Sequence, residues 1–108
     1  MAFQVAELSF QLVELLRPLM PRIRQRDRSL AEHIVRAASS VALNIAEGDH
    51  SDPGNRRARF FTASGSASET LAALRLATAW GYLPVAETEA PAALLRHIIA
   101  ILRKLTRR

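Results

Sequence analysis

Arg36-Ala37-Ala38-Ser39-Ser40-Val41-Ala42-Leu43-Asn44-Ile45-Ala46-Glu47-Gly48 has the spacing of a helix throughout and ends on a residue suited to closing one. Arg36, Ser40, Asn44 and Glu47 recur at intervals of 4, 4 and 3 and therefore form one column along it. Ile34, Val41 and Ile45 form an apolar stripe beside that column, and Ala37 and Ala38 leave room for a close neighbour. Ser and Asn in register on one face point to a tightly packed, hydrogen-bonded helix contact.

Upstream, residues 3 to about 20 read as a first helix with Val5, Leu8, Leu12, Leu15, Leu16 and Leu19 on its apolar face. Phe3 and Phe10 lie nearly opposite that face, beside Glu7 and Glu14. Pro18 is expected to kink or end this helix and Pro21 to stop it. Residues 21 to 28 then form a basic connection with Arg22, Arg24, Arg26 and Arg28. The second helix runs from Asp27 or Ser29 to Glu47, with Gly48 expected in the left-handed closing conformation.

Downstream, Asp52 caps a third helix that starts at Pro53 and runs to about Trp80. Phe60, Ala63, Ala67, Thr70, Leu71, Leu74 and Ala77 are its inner face. Gly65 within it predicts the close approach of another backbone. Gly81 ends it. Thr88 to Pro91 opens a fourth helix with a seam of Leu94, Ile98, Ile101 and Leu105 and a second seam of Leu95, Ile99 and Leu102. Four helices with short connections predict an all-α, antiparallel up-down-up-down four-helix bundle formed by residues 1-108 as one domain. Folding the third helix back on the second brings Arg36, Ser40, Asn44 and Glu47 to Ser66, Glu69 and an arginine among Arg56, Arg57 and Arg59, shielded from water.

The composition bounds the function. Of the 108 residues 49% are apolar, which excludes wholesale disorder, and cysteine is absent, which excludes disulfides and thiol chemistry. No apolar run is long enough to span a membrane, and Glu7 is unlike a basic leader, so a cytoplasmic protein without membrane partners is expected. The formal net charge is +5, and residues 92 to 108 hold five basic residues and no acid. Arg103, Lys104, Arg107 and Arg108, helped by Arg22, Arg24 and Arg26, are the candidate contacts to RNA or DNA. Without an aromatic stacking platform such binding is backbone-led and sparing in sequence preference. Glu47 and Glu69 could act as an acid/base pair, but no cofactor motif or nucleophile elbow accompanies them. His33, His50 and His97 lack paired metal-ligand spacing. The expectation is therefore a non-catalytic protein with no metal or cofactor. The alternative to nucleic-acid binding is a scaffold or adaptor for an unidentified protein. Phe3 and Phe10, with Leu95, Ile99 and Leu102 as an outer seam, form the candidate interface of a homo-oligomer.

The residues Arg36 to Val41, Asn44 to Gly48, Phe60, Gly65-Ser66, Glu69 and Gly81-Tyr82-Leu83 resemble the signature of a bacterial four-helix-bundle family, the 23S rRNA intervening-sequence proteins. The match covers about residues 30 to 83. The accessory variability protein of diversity-generating retroelements looks like a relative. The resemblance implies a cyclic homo-oligomer, typically a homopentamer, with no established catalytic activity. Some members are encoded within ribosomal RNA insertions, and the retroelement relative binds nucleic acid and a reverse transcriptase through a basic surface. Arg36, Asn44, Glu47, Gly65, Ser66 and Glu69 match as structural positions. Many members carry aromatic and basic residues after the Glu-Gly, where this chain has Asp49, His50 and Asp52.

Overall fold

The structure is a computed structural model that describes the backbone of residues 2–107 and the side chains of residues 4–107. Helix α1 spans Ala2–Leu16 and passes through a 3₁₀ turn, Arg17–Leu19, into a short α2, Met20–Arg26. Three long helices follow: α3 Arg28–Asp49, α4 Pro53–Ala79 and α5 Val85–Thr106. α1 packs on α3 and α5, and α4 packs on the same two, so the four long helices close around one core as a four-helix bundle. α2 lies against α3.

The segment expected to be a basic connection is thus largely helical. Pro18 and Pro21 sit in the first turns of the 3₁₀ segment and of α2, and the backbone stays helical through Leu16, Leu19 and Met20, so the prolines pass the ladder through a 3₁₀ turn without ending it. Asp27, at φ −156°, makes the actual break. Its carboxylate accepts from the Leu30 amide at 3.0 Å and from the Tyr82 hydroxyl at 3.1 Å, which caps α3 and ties it to the end of α4. Asp27→Ala should therefore cost roughly 0.5–2 kcal/mol, and Asp27→Asn, which still caps, clearly less. Thermal unfolding of the two variants checks this.

α4 is closed by a Schellman motif. Gly81 has φ 81°, its amide donates to the Thr78 carbonyl at 3.0 Å, and the Tyr82 amide donates to the Ala77 carbonyl at 2.8 Å. At the other end Asp52 caps α4 by accepting from the Asn55 amide at 3.0 Å. α5 begins at Val85, one turn earlier than expected, and so encloses Pro91.

The core takes Val5, Leu12, Leu16 and Leu19 from the N-terminal segment, Ile34, Val41 and Ile45 from α3, and Phe60, Ala63, Ala67 and Leu74 from α4. Leu15 is a correction: it is 38% exposed, because α1 turns its stripe towards Leu12 and Leu16.

Two glycines also differ from expectation. Gly48 is helical and buried, not left-handed. A Cβ there would lie 2.6 Å from Cε1 of Phe60 and 2.8 Å from its Cδ1, so the glycine lets that ring pack against the α3 backbone. Gly65 has the opposite surroundings. It is exposed, and an added Cβ would meet nothing within 4 Å. Glycine in a helix interior costs about 1 kcal/mol relative to alanine, and nothing in this chain requires it there.

Candidate nucleic-acid interface

The polar column forms in part. The hydroxyls of Ser40 and Ser66 are 2.8 Å apart across α3 and α4. The Asn44 amide donates to Ser40 Oγ at 3.0 Å and to the Ser40 carbonyl at 2.9 Å. One charged end of the column meets an arginine of the expected trio, and the other takes a different partner. Glu47 pairs with Arg59 at 3.5 Å, and Glu69 pairs with His33 at 2.7 Å. Arg36, Glu47 and Glu69 are exposed, so this is a solvated network around a half-buried serine pair. Arg36 lines a shallow cleft with Ser66 and Glu69 but is in no ion pair among the described residues. Glu69 meets α3 at His33, fourteen residues and about 20 Å along the helix from Glu47, so the two do not converge as an acid/base pair.

The arginines separate into two ends. Arg22 donates to both carboxylate oxygens of Glu87, one bond at 3.1 Å, beside the start of α5. Arg26 stacks over the Tyr82 ring at 5.5 Å. Arg24 is exposed. The other basic group lies at the opposite end of α5, about 30 Å away over its 22 residues, so the two groups cannot form one surface on one chain, as the sequence reading allowed. The hydrogen bond from Arg22 holds the Glu87 carboxyl below its ordinary value of 4.5. A depressed carboxylate stabilises the fold above its unfolded value and loses that contribution as pH falls through the folded one. Because the pair is exposed, Arg22→Gln should lower the melting temperature only slightly at pH 7 and leave it unchanged near pH 2. Melting curves at the two pH values check this.

Arg103 and Lys104 occupy the last turn of α5, and Arg107 follows it; all three are exposed. Arg108 lies outside the described residues. The structure adds a partner that the sequence reading had placed elsewhere. Arg57 Nε donates to the carbonyl of Thr106 at 2.7 Å, which brings the start of α4 against the end of α5. Arg56 Nε donates to the Gly48 carbonyl at 3.3 Å, so it caps α3 instead. One signal was available in the sequence. Arg56, Arg57 and Arg59 stand in the first two turns of α4, where the helix dipole opposes cations, and a locally unfavourable charge often serves something beyond its own helix. Arg57 uses one of its five N–H donors on Thr106. The candidate cluster is therefore Arg57, Arg103, Lys104 and Arg107 around the carbonyl end of α5. The α3–α4 turn beside it carries Asp49 and Asp52, and hydrogen bonds from Asn55 hold the Asp52 carboxyl below its ordinary range.

The outer seam of α5 is a further correction. Leu95 and Leu102 are fully buried and Ile99 is 8% exposed, all within this chain. α5 faces both α1 and α4 and uses both seams internally. Phe10 is 55% exposed and available, whereas the side chain of Phe3 lies outside the described residues. Among the described residues no three potential metal ligands gather, and no helix is long and apolar enough to cross a membrane.

A solved structure from Bacteroides thetaiotaomicron, a protein of unknown function from the S23 ribosomal protein family, superposes on this chain with a TM-score of 0.90. The similarity covers 96% of this chain and 99% of that one at 19% identity, which establishes the fold alone. A search of curated proteins finds no match. The model of the family described as 23S rRNA-intervening sequence protein matches residues 1–104, nearly the whole sequence including the signature on α3 and α4. The chain belongs to the 23S rRNA-intervening sequence protein family.

Proposed function

We propose that this protein is a non-catalytic, cytoplasmic homo-oligomer that holds the backbone of RNA or DNA on the basic end of α5. Its four long helices run alternately up and down. Going back along α3 from Glu47 to Ser40 to His33, the partners on α4 advance from Arg59 to Ser66 to Glu69. Five copies form a ring, the stoichiometry that the family resemblance implies, and each copy presents its basic end on the same rim.

The observation that carries the reading is the Arg57–Thr106 contact, which joins an arginine of α4 to Arg103, Lys104 and Arg107. Four cations around one helix end match the negative charge of a phosphate backbone, and in a cyclic assembly the fields of the copies add. A band-shift assay at low salt with a mixed-sequence RNA strand and a DNA duplex tests it. Retardation that disappears as salt rises supports the reading, and free migration of both probes refutes it.

A further inference from the structure

We infer that the outer face of α1, with Phe10 between Glu7 and Glu14, docks into the groove between α4 and α5 of a second copy of this chain. This rests on the homo-oligomer reading and names the two surfaces that would join. The groove has a volume of about 790 Å³. Leu71, Leu74 and Ile99 line its floor, Arg75, Arg96 and Arg103 its walls, and no acidic residue lines it. None of these arginines is in an ion pair among the described residues. The groove therefore favours an occupant that is apolar in the middle and negative at its edges.

The outer face of α1 has that character. Phe10 is 55% exposed, and Glu7 and Glu14, one turn to either side, are exposed and free of ion pairs among the described residues. The other exposed aromatic side chains on the long helices and their ends do not match. Phe61 has Arg57 and Ala58 on one side and Ser64 and Gly65 on the other, and Trp80 has Leu76 and Ala77 before it and Leu83 and Pro84 after it.

The spacings agree as well. Glu7 and Glu14 are seven residues apart, as are Arg96 and Arg103, so each pair spans about 10.5 Å of helix. Arg103 belongs also to the basic end of α5, and with five N–H donors it can meet a glutamate on one edge and leave another edge for a phosphate. With the helices aligned in either direction, Phe10 falls over Ile99 or Ala100, between the two ion pairs. Gly65 lies on the same face of α4 as the groove residues Ser68, Ala72 and Arg75. With them it forms one stripe along α4 at intervals of three and four, on the side where an added Cβ would meet nothing. A second helix lying there gives this exposed glycine a neighbour. The two surfaces are different parts of the chain, so the contact is heterologous and propagates from copy to copy until a ring closes.

Charge exchange tests the docking, with mass measured by light scattering after gel filtration and folding by circular dichroism. The variants are Glu7→Arg with Glu14→Arg, Arg96→Glu with Arg103→Glu, and all four together. Each pair alone should bring the mass down to that of one 11.9 kDa chain, and the fourfold variant should return to the wild-type mass. Phe10→Ser, which removes the apolar centre without altering charge, should also dissociate the assembly and serves as the readout if a charge variant fails to fold. A monomeric wild type overturns the homo-oligomer reading itself. An oligomer unaffected by either pair or by Phe10→Ser overturns this docking alone, as does a fourfold variant that stays monomeric.

Discussion

Phe60→Ala should destabilise the fold by roughly 3–5 kcal/mol, the cost of emptying the site of a fully buried phenylalanine. Phe60 is the largest of the fully buried side chains, and its ring lies against the α3 backbone at Gly48. The same contact makes Gly48 intolerant of a side chain. Gly48→Ala places a methyl 2.6 Å from a ring carbon that the core holds on its other side. The overpacking costs about 1–3 kcal/mol and outweighs the gain of about 0.5–1 kcal/mol from replacing a helical glycine. Gly48→Val, with less helix gain and two more methyls, should lose about 3 kcal/mol. The sign reverses once the ring is gone: in a Phe60→Ala background, Gly48→Ala should stabilise by about 0.5–1 kcal/mol. Urea denaturation of the four proteins closes this cycle. A neutral or stabilising Gly48→Ala in the wild-type background would contradict the contact.

The largest effect on binding is expected from reversing charge at the end of α5. Four phosphate contacts give a single-strand salt slope of about −2.8. Carried from 1 M salt, where such contacts are almost fully screened, to about 50 mM, that slope is worth on the order of 10³-fold in affinity. Arg57→Glu, Arg103→Glu, Lys104→Glu and Arg107→Glu together should lose about that much. Arg22→Glu, Arg24→Glu and Arg26→Glu, about 30 Å away along the bundle, should lose less than about 10-fold, since they alter only the general field. Fluorescence anisotropy with a labelled RNA strand compares the two sets. Equal losses from both ends would mean that overall charge is responsible and that no site lies on α5.

Much of the fold was legible because its boundaries are written in local chemistry. Asp27 and Asp52 cap the helices that follow them, and Gly81 closes α4 with both bonds of a Schellman motif. What could not be read depends on rotation about a helix axis or on contact between distant segments. Pro18 and Pro21 looked like helix stops, yet each sits where a new helical turn begins. Leu95 and Leu102 looked surplus to one core seam, but α5 touches two neighbours and needs a wide apolar face. Glu69 lies beside Arg36 in one cleft but pairs with His33, one turn earlier on α3 and outside the expected column. Of the candidate site, Arg103, Lys104 and Arg107 were legible from the acid-free end of the chain. Arg57 was signalled only as a cation at the unfavourable end of α4, and its place at Thr106 depends on the packing of α4 on α5.

The most direct test is the salt dependence of nucleic-acid affinity in the wild-type protein, taken between about 50 and 200 mM salt. Phosphate contacts from Arg57, Arg103, Lys104 and Arg107 of a single subunit predict a log–log slope near −2.8 and a roughly 50-fold loss of affinity across that range, steeper if several subunits of a ring engage one strand. A slope near zero, or no binding at about 50 mM, would contradict the account and leave the basic end of α5 with the role of a solvated helix terminus.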